Sequence, residues 1–133
     1  MIVADTNLIA YLMLAGDQTP GAQAVFRHDP EWTAPLVWRS EFRNVLALYL
    51  RQGHLTLTDA QQYMEEAETL MQAGEYQVVS APVLALAEAT GLSAYDSEFV
   101  HLAKELVVPL VTADKAVLKA CPEIAVSMKK FVF

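Results

Sequence analysis

The sequence predicts a single α/β domain over residues 1–133, a three-layer α/β/α sandwich with a central, mostly parallel sheet of four to five strands. Two observations favour this class. Short apolar runs alternate along the chain with longer segments in which apolar residues recur at helical spacing. No Gly/Ser-rich linker or internal repeat divides the chain, whose length suits one domain. Alternating strands and helices of this kind typically form a parallel sheet with helices on both faces.

The first half of the chain begins with a strand over residues 1–5 that is apolar until Asp5. A short helix over 6–14 follows, and the turn-forming residues 16–20 separate it from a second short helix over 21–28. Residues 31–34 are expected to form a brief strand that ends at Pro35. A long helix over 36–51 then continues to the stop signal at Gly53.

The second half of the chain opens with Thr58 and Gln61 at capping-box spacing, which predicts a helix from here to about residue 73 with Gly74 as its stop. A strand over 76–79 and helices over 82–90 and 94–106 follow, the last capped by Ser93. A strand before Asp114 leads to a short helix that ends near residue 120. Weak closing strands are expected over 125–128 and 131–133.

Charge and cysteine content narrow the classes of function. The formal net charge of −7 argues against general electrostatic binding to nucleic acid, which needs a basic surface, but permits a local acidic cluster that recruits cations. The single cysteine, Cys121, excludes an intrachain disulfide and fits a reducing cytoplasm, the expected location. Neither a secretion signal nor a membrane-spanning stretch is indicated, so no membrane partner is expected.

Two acids follow apolar strands near opposite ends of the sequence. Asp5 ends the first strand, and Asp114 comes shortly after the strand that includes Leu110 and Val111. In open parallel sheets, ligands bind at the carboxyl ends of the strands, so this pattern places both carboxylates at one edge. Either residue could instead cap the helix that follows it.

Two more acids lie near the beginnings of predicted helices. Glu41 shares its helix face with apolar residues, and Asn44 is the one polar neighbour on that face. A carboxylate on an apolar stripe needs a cation, a metal or hydrogen-bond donors. Asp96 lies in the first turn after Ser93, where a role in capping is also expected. Glu98, two positions further on, is expected to point elsewhere as a solvated surface residue.

These four carboxylates are predicted to converge and to have no obvious basic partner. Converging carboxylates repel one another, so a cation is needed if all are to stay ionised. Oxygen ligands select Mg²⁺, with Mn²⁺ as an alternative, rather than zinc. Thr6, Asn7 and Thr112 can hydrogen-bond the carboxylates or waters on the ion.

With these residues placed, the chain resembles a PIN-domain ribonuclease, and most closely the VapC-type toxins of bacterial and archaeal toxin–antitoxin pairs. The resemblance covers nearly the whole chain and implies a single PIN-like nuclease domain. It rests on four segments in order: residues 2–7 (IVADTN), 40–44 (SEFRN), 95–103 (YDSEFVHLA) and 110–114 (LVTAD).

The resemblance implies a set of roles for this sequence. Asp5, Glu41, Asp96 and Asp114 match the family's acidic metal-binding quartet, with Asp5 and Asp96 as direct ligands and the other two direct or acting through water. The implied reaction is endonucleolytic hydrolysis of RNA, in which Mg²⁺ activates a water and stabilises charge on the phosphate. A cognate antitoxin and a homodimer are the implied protein partners.

Other functions are compatible with parts of this pattern. A PIN nuclease used in RNA processing would need no antitoxin. A receiver-like signalling domain needs paired acids after the first strand, where this chain has only Asp5 followed by Thr6 and Asn7. A phosphatase of the Asp-x-Asp type is disfavoured for the same reason. A non-catalytic binding module is a further alternative.

Overall fold

A computed structural model describes all residues from Met1 to Phe133. Five short strands alternate with eight helices. In chain order they are β1 (Ile2–Ala4), α1 (Thr6–Met13), α2 (Thr19–His28), β2 (Trp32–Pro35), α3 (Val37–Arg51), α4 (Leu57–Met71), β3 (Glu75–Tyr76), α5 (Ser80–Thr90), α6 (Ala94–Leu106), β4 (Leu110–Val111), α7 (Lys115–Ala120), β5 (Ala125–Val126) and α8 (Met128–Val132).

The strands form one sheet in the order β3-β2-β1-β4-β5, and every neighbouring pair is parallel. The central strand β1 pairs with β2 through Val3 and Thr33 and with β4 through Ala4 and Val111. Because all strands run the same way, their carboxyl ends meet at one edge. The predicted sheet is confirmed, with five strands and no antiparallel member.

Helices flank this sheet as the sequence predicts, which confirms the α/β/α sandwich. Helix α6 lies across β1, β2 and β4 and packs against α5. Helices α1 to α4 pack with one another, α3 and α4 contact β2, and α8 packs against α2. None of the eight helices is long and apolar enough to cross a membrane.

The core lies along the central strand and the helices over it. Ile2, Val3 and Ala4 are fully buried, which explains why β1 is an unbroken apolar run rather than an alternating one. Trp38 and Trp32 are also buried, and their indole N–H groups donate to Glu75 Oε2 and to the Asp29 carbonyl, each at 2.9 Å. Both tryptophans therefore serve packing.

The structure differs from the predicted bounds at several elements. Helices α2 and α5 begin at Thr19 and Ser80, two residues before their predicted starts, and β5 ends at Val126 instead of residue 128. Helix α4 begins two residues early, because Thr56 rather than Thr58 is its N-cap and accepts from the Asp59 amide at 3.1 Å. Strand β3 covers Glu75–Tyr76 instead of 76–79. The strand expected over 131–133 is wrong: Met128–Val132 is a helix whose first turn is capped by Ser127, which accepts from the Lys130 amide.

Gly74, the predicted stop of α4, lies three residues beyond the end of that helix at Met71, and close packing explains the glycine at this position. It ends a 3₁₀ turn, Gln72–Gly74, that leads into β3. A Cβ at this position would lie 2.3 Å from the Trp32 carbonyl oxygen and 3.1 Å from Thr33 Cα. Glycine is therefore required so that the chain can pass the backbone of β2 and add β3 to the sheet.

Candidate active site at the carboxyl edge of the sheet

Asp5 follows the central strand at this edge and is 7% exposed. Its Oδ1 accepts a hydrogen bond from the Thr6 amide at 2.7 Å, so the residue does cap α1. Its Oδ2 accepts from the Thr112 hydroxyl at 2.6 Å. Burial and, to a smaller extent, the nearby carboxylates of Glu41 and Asp96 raise the pKa of Asp5 to about 6, although both hydrogen bonds lower it.

Asn7 and Thr112 tie the loop after β1 to the loop after β4. The Asn7 amide group donates to Asp5 Oδ2 at 3.5 Å and to Thr112 Oγ1 at 3.4 Å, while its Oδ1 accepts from the Ala113 amide at 3.2 Å. Thr112 Oγ1 also accepts from the Asp114 amide at 3.0 Å. These bonds join two strand ends that are more than a hundred residues apart in sequence.

Glu41 reaches the same place from the first turns of α3. Its Oε1 accepts a hydrogen bond from the Thr6 hydroxyl at 2.7 Å, which links it through Thr6 to Asp5. Burial raises the pKa of Glu41, and the charges of Asp96 and Glu98 add to that effect. The donor that a carboxylate on this apolar helix needs is therefore Thr6. Asn44 is exposed and makes no hydrogen bond with Glu41.

Asp96 lies in the first turn of α6, whose N-cap is Ser93. Its amide donates to Ser93 Oγ at 3.0 Å, so the expected cap is present and is supplied by the serine. The Asp96 carboxylate is left facing the other acids. Burial raises its pKa, and the charge of Asp114 raises it further.

Asp114 caps α7, accepting at Oδ1 from the amides of Ala116 at 2.8 Å and Val117 at 3.2 Å. Its charge acts on Asp96, as the charges of Glu41 and Asp96 act on Asp5. The four acids thus form one electrostatically connected group, the acidic cluster of Asp5, Glu41, Asp96 and Asp114. No basic side chain is among the influences on the pKa of Asp5, Glu41 or Asp96.

The donor chemistry of the acidic cluster suits a hard divalent cation. All of its donors are oxygens, and no basic side chain offsets their mutual repulsion. The side chains do not, however, form a closed cage: no group of three or more His, Cys, Asp or Glu residues is placed to hold an ion together.

Glu98 is closer to the acidic cluster than the sequence indicates. It is half-buried rather than solvated, its pKa is raised by that burial, and its charge acts on Glu41. Helical spacing correctly separates Glu98 from Asp96 on α6. It carries no information about Glu41, because that residue approaches from another helix, and only the packing of α3 near α6 brings the two charges together.

Comparison with known proteins reveals similarity of structure. No family model and no curated protein sequence matches the chain. PAE2754 from Pyrobaculum aerophilum superposes with a TM-score of 0.78 at 17% identity, over 98% of this chain and 85% of that chain. The chain has a PIN-like fold.

Two further structures support the same fold. FitAcB from Neisseria gonorrhoeae superposes with a TM-score of 0.69 at 18% identity, over 97% of this chain and 99% of that chain. FitAB bound to the IR36 DNA fragment superposes with a TM-score of 0.72 at 18% identity, over 96% and 95% of the two chains. The PIN-like sandwich therefore spans nearly the whole of this chain.

Proposed function

We propose that this chain is a Mg²⁺-dependent endoribonuclease whose active site is the acidic cluster. The observation that carries the proposal is the burial of Asp5 beside two other carboxylates with no basic residue to offset them. Such an arrangement is costly unless an external cation binds. The PIN-like fold and the match of all four acids to the family motifs support the same conclusion.

The residues of the site would have two kinds of role, binding of the metal ion and positioning of the carboxylates. When bound, Mg²⁺ supplies an activated water and neutralises charge on the phosphate. Asp5 and Asp96 would bind the ion directly, while Glu41 and Asp114 would bind it directly or through water. Thr6 and Thr112 orient the carboxylates of Glu41 and Asp5 through bonds of 2.7 and 2.6 Å, and Asn7 fixes Thr112. Mn²⁺ would replace Mg²⁺, since it prefers similar ligands.

Cleavage of total bacterial RNA and of a short fluorogenic RNA tests this proposal. The wild-type protein should cleave both RNAs when Mg²⁺ or Mn²⁺ is present, and the cleavage should stop when EDTA is added. Asp5→Asn, Glu41→Gln, Asp96→Asn and Asp114→Asn should each lose most activity. Glu88→Gln, at an exposed acid of α5, is the matched control and should keep it. Equal cleavage by wild type and Asp5→Asn, or cleavage that persists in EDTA, would contradict the proposal.

The biological role that this activity supports is that of a toxin controlled by an antitoxin. The motif resemblance to VapC-type toxins supports this role, as does the likeness in fold to a chain of FitAB, which is bound to a DNA fragment in its complex. A toxin should stop growth of a bacterial host and fragment its RNA on induction, whereas Asp5→Asn should not. Normal growth with intact RNA and soluble wild-type protein would instead favour an RNA-processing nuclease without an antitoxin.

A groove beside the acidic cluster suits the segment by which an antitoxin would bind. Two cavities of about 290 and 390 Å³ share Leu14, Ala15 and Tyr49. The first is lined by Asn7, which donates a hydrogen bond to Asp5 of the acidic cluster, and the second is lined by Tyr63. A peptide with apolar residues along the groove and a cation at the cluster would match both surfaces.

Copurification tests the antitoxin surface. The product of a small open reading frame adjacent to the gene, expressed with this chain, should copurify with it and inhibit it. Tyr49→Glu in the groove should abolish the complex, while Glu88→Gln should leave it intact. Retention of the complex by Tyr49→Glu would place the partner elsewhere. The same resemblance supports a homodimer, for which light scattering of the purified protein should give twice the mass of the chain.

A further inference from the structure

A cavity of about 260 Å³ lies between the beginnings of α5 and α6. It is lined by Glu98 and by side chains that are apolar apart from one hydroxyl: Val78, Ser80, Val83, Leu84 and Ala94. Ala94 and Glu98 are four positions apart on α6 and so share a face of that helix. The result is an apolar cavity with a single carboxylate.

Glu98 has no partner within the chain. No side-chain hydrogen bond or salt bridge within the chain involves Glu98, and its carboxylate oxygens remain accessible to a ligand. A half-buried carboxylate without a partner favours a ligand that brings N–H donors. The apolar walls favour a ligand with a flat or apolar body behind those donors.

The position of this cavity connects it to the acidic cluster. Ala94 and Glu98, which line the cavity, lie on either side of Asp96 in the first two turns of α6, so the cavity and the acidic cluster are at the same end of that helix. A polymer with a phosphate at the acidic cluster could therefore place a neighbouring group in the cavity. RNA bases in single strands are commonly bound in this way, between apolar side chains and with hydrogen bonds to their Watson–Crick edges.

We propose that this cavity receives a base of the RNA substrate and that Glu98 selects guanine there by accepting hydrogen bonds from the base. The proposal rests on the proposed ribonuclease function and adds the substrate preference of that site. Guanine has two adjacent donors on its Watson–Crick edge, the N1–H and the N2 amino group, and a carboxylate can accept from both. Cytosine and adenine each offer one amino group, and uracil offers a single N3–H that lies between two carbonyl oxygens, which a carboxylate repels.

Matched short RNAs that differ only in the base on either side of the cleaved bond test the selection. The wild-type protein should cleave the RNA with guanine at one of these positions at least about fivefold faster than the uracil version, measured as kcat/KM. Glu98→Gln should keep cleavage but reduce this ratio toward one, because an amide can also donate to carbonyl oxygens. Glu105→Gln, at an exposed acid of the same helix, is the matched control and should keep the ratio.

Two results would overturn the base cavity while leaving the ribonuclease intact. One is a wild-type enzyme without base preference at either position. The other is a preference that Glu98→Gln does not change. If Leu84→Asp converts a dimer into a monomer and leaves the base preference unaltered, the cavity belongs to an interface between copies of the chain, and the proposal fails.

A binding experiment separates failure of this proposal from failure of the ribonuclease function. Guanosine and uridine are titrated into the protein in EDTA and followed by NMR, so neither metal nor cleavage is needed. Guanosine should shift the signals of Val83, Leu84 and Ala94 in wild type, uridine should shift them less, and Glu98→Gln should weaken the guanosine effect. Equal shifts with both nucleosides, or none, would refute the assignment even if the chain cleaves RNA.

Discussion

Replacing Asp5 with Asn should stabilise the metal-free protein at neutral pH. The pKa of Asp5 is raised from 3.8 to about 6, so ionising this carboxyl costs the folded chain about 3 kcal/mol more than the unfolded chain. An asparagine carries no charge to bury, and its Oδ1 still accepts from the Thr6 amide. The amide group that replaces Oδ2 fits the Thr112 hydroxyl less well, so the expected net gain is about 1–3 kcal/mol.

The pH dependence of this gain follows from the direction of the pKa change. A carboxyl whose pKa is raised on folding holds its proton more tightly in the native state, so stability falls as pH rises from 3.8 to about 6. Above about pH 6 the loss of stability from ionising Asp5 has reached its full value. The advantage of Asp5→Asn over wild type should therefore grow by about 2 kcal/mol between pH 4.5 and pH 7.5.

Thermal and urea unfolding in EDTA measure this difference. At pH 7.5 the midpoint temperature of Asp5→Asn should exceed that of wild type by roughly 4–12 °C. Asp17→Asn, at an exposed acid that is not part of the acidic cluster, is the control and should lie within about 0.5 kcal/mol of wild type. Mg²⁺ at ten times its Kd should restore about 1.4 kcal/mol to wild type and less to the variant. A variant less stable than wild type at pH 7.5, or a difference that does not grow with pH, would refute this account of Asp5.

Three further predictions concern the elements that position the cluster. Thr112→Val should cost about 1–3 kcal/mol of unfolding free energy in urea, because it removes the donor to Asp5 and the acceptor for the Asp114 amide, whereas Thr112→Ser should recover most of it. Gly74→Ala should cost more than about 2 kcal/mol, since its Cβ would meet the Trp32 carbonyl, whereas Gly16→Ala, with no atom nearer than 4.0 Å, should not. Thr56→Ala should cost about 1 kcal/mol and Thr58→Ala close to nothing in the same assay, because only Thr56 caps α4. Equal costs in either pair would contradict the corresponding contact.

The sequence predicts the strands and most helices because their local signals are strong. The buried parallel strand β1 is a continuous apolar run that ends at a carboxylate, and Ser93 and Gly91 mark the boundary between α5 and α6 unambiguously. Helix α8 is not predicted, because five residues are too few to show the helical periodicity of apolar positions. Helix α4 shows a different difficulty, since Thr56 with Asp59 and Thr58 with Gln61 both have capping-box spacing.

The candidate site likewise contains residues that local sequence predicts and residues that only the packing of the helices brings together. Asp5 and Asp114 are predictable because they follow strands, and every parallel strand delivers its carboxyl end to one edge. The bond from Thr6 to Glu41 and the proximity of Glu98 to Glu41 depend on how α3 and α6 pack beside β1. The periodicity of one helix contains no information about its packing against another. For this reason the sequence wrongly places Asn44 beside Glu41, although it is exposed in the structure, and wrongly places Glu98 in solvent, although it is half-buried.

Capping and ion binding are not competing explanations for Asp5 and Asp114. Both residues do cap the helices that follow them. An uncharged Asn or Ser would cap α1 about as well, however, and would avoid the cost of burying a carboxylate beside Glu41 and Asp96. The cap therefore accounts for a small oxygen-bearing side chain at position 5 but not for its negative charge. No cation of the chain offsets that charge, so the charge has a role only under the proposed binding of a metal ion. The stability difference between wild type and Asp5→Asn measures the free energy of unfolding that the metal-free chain loses by keeping a carboxylate at this position.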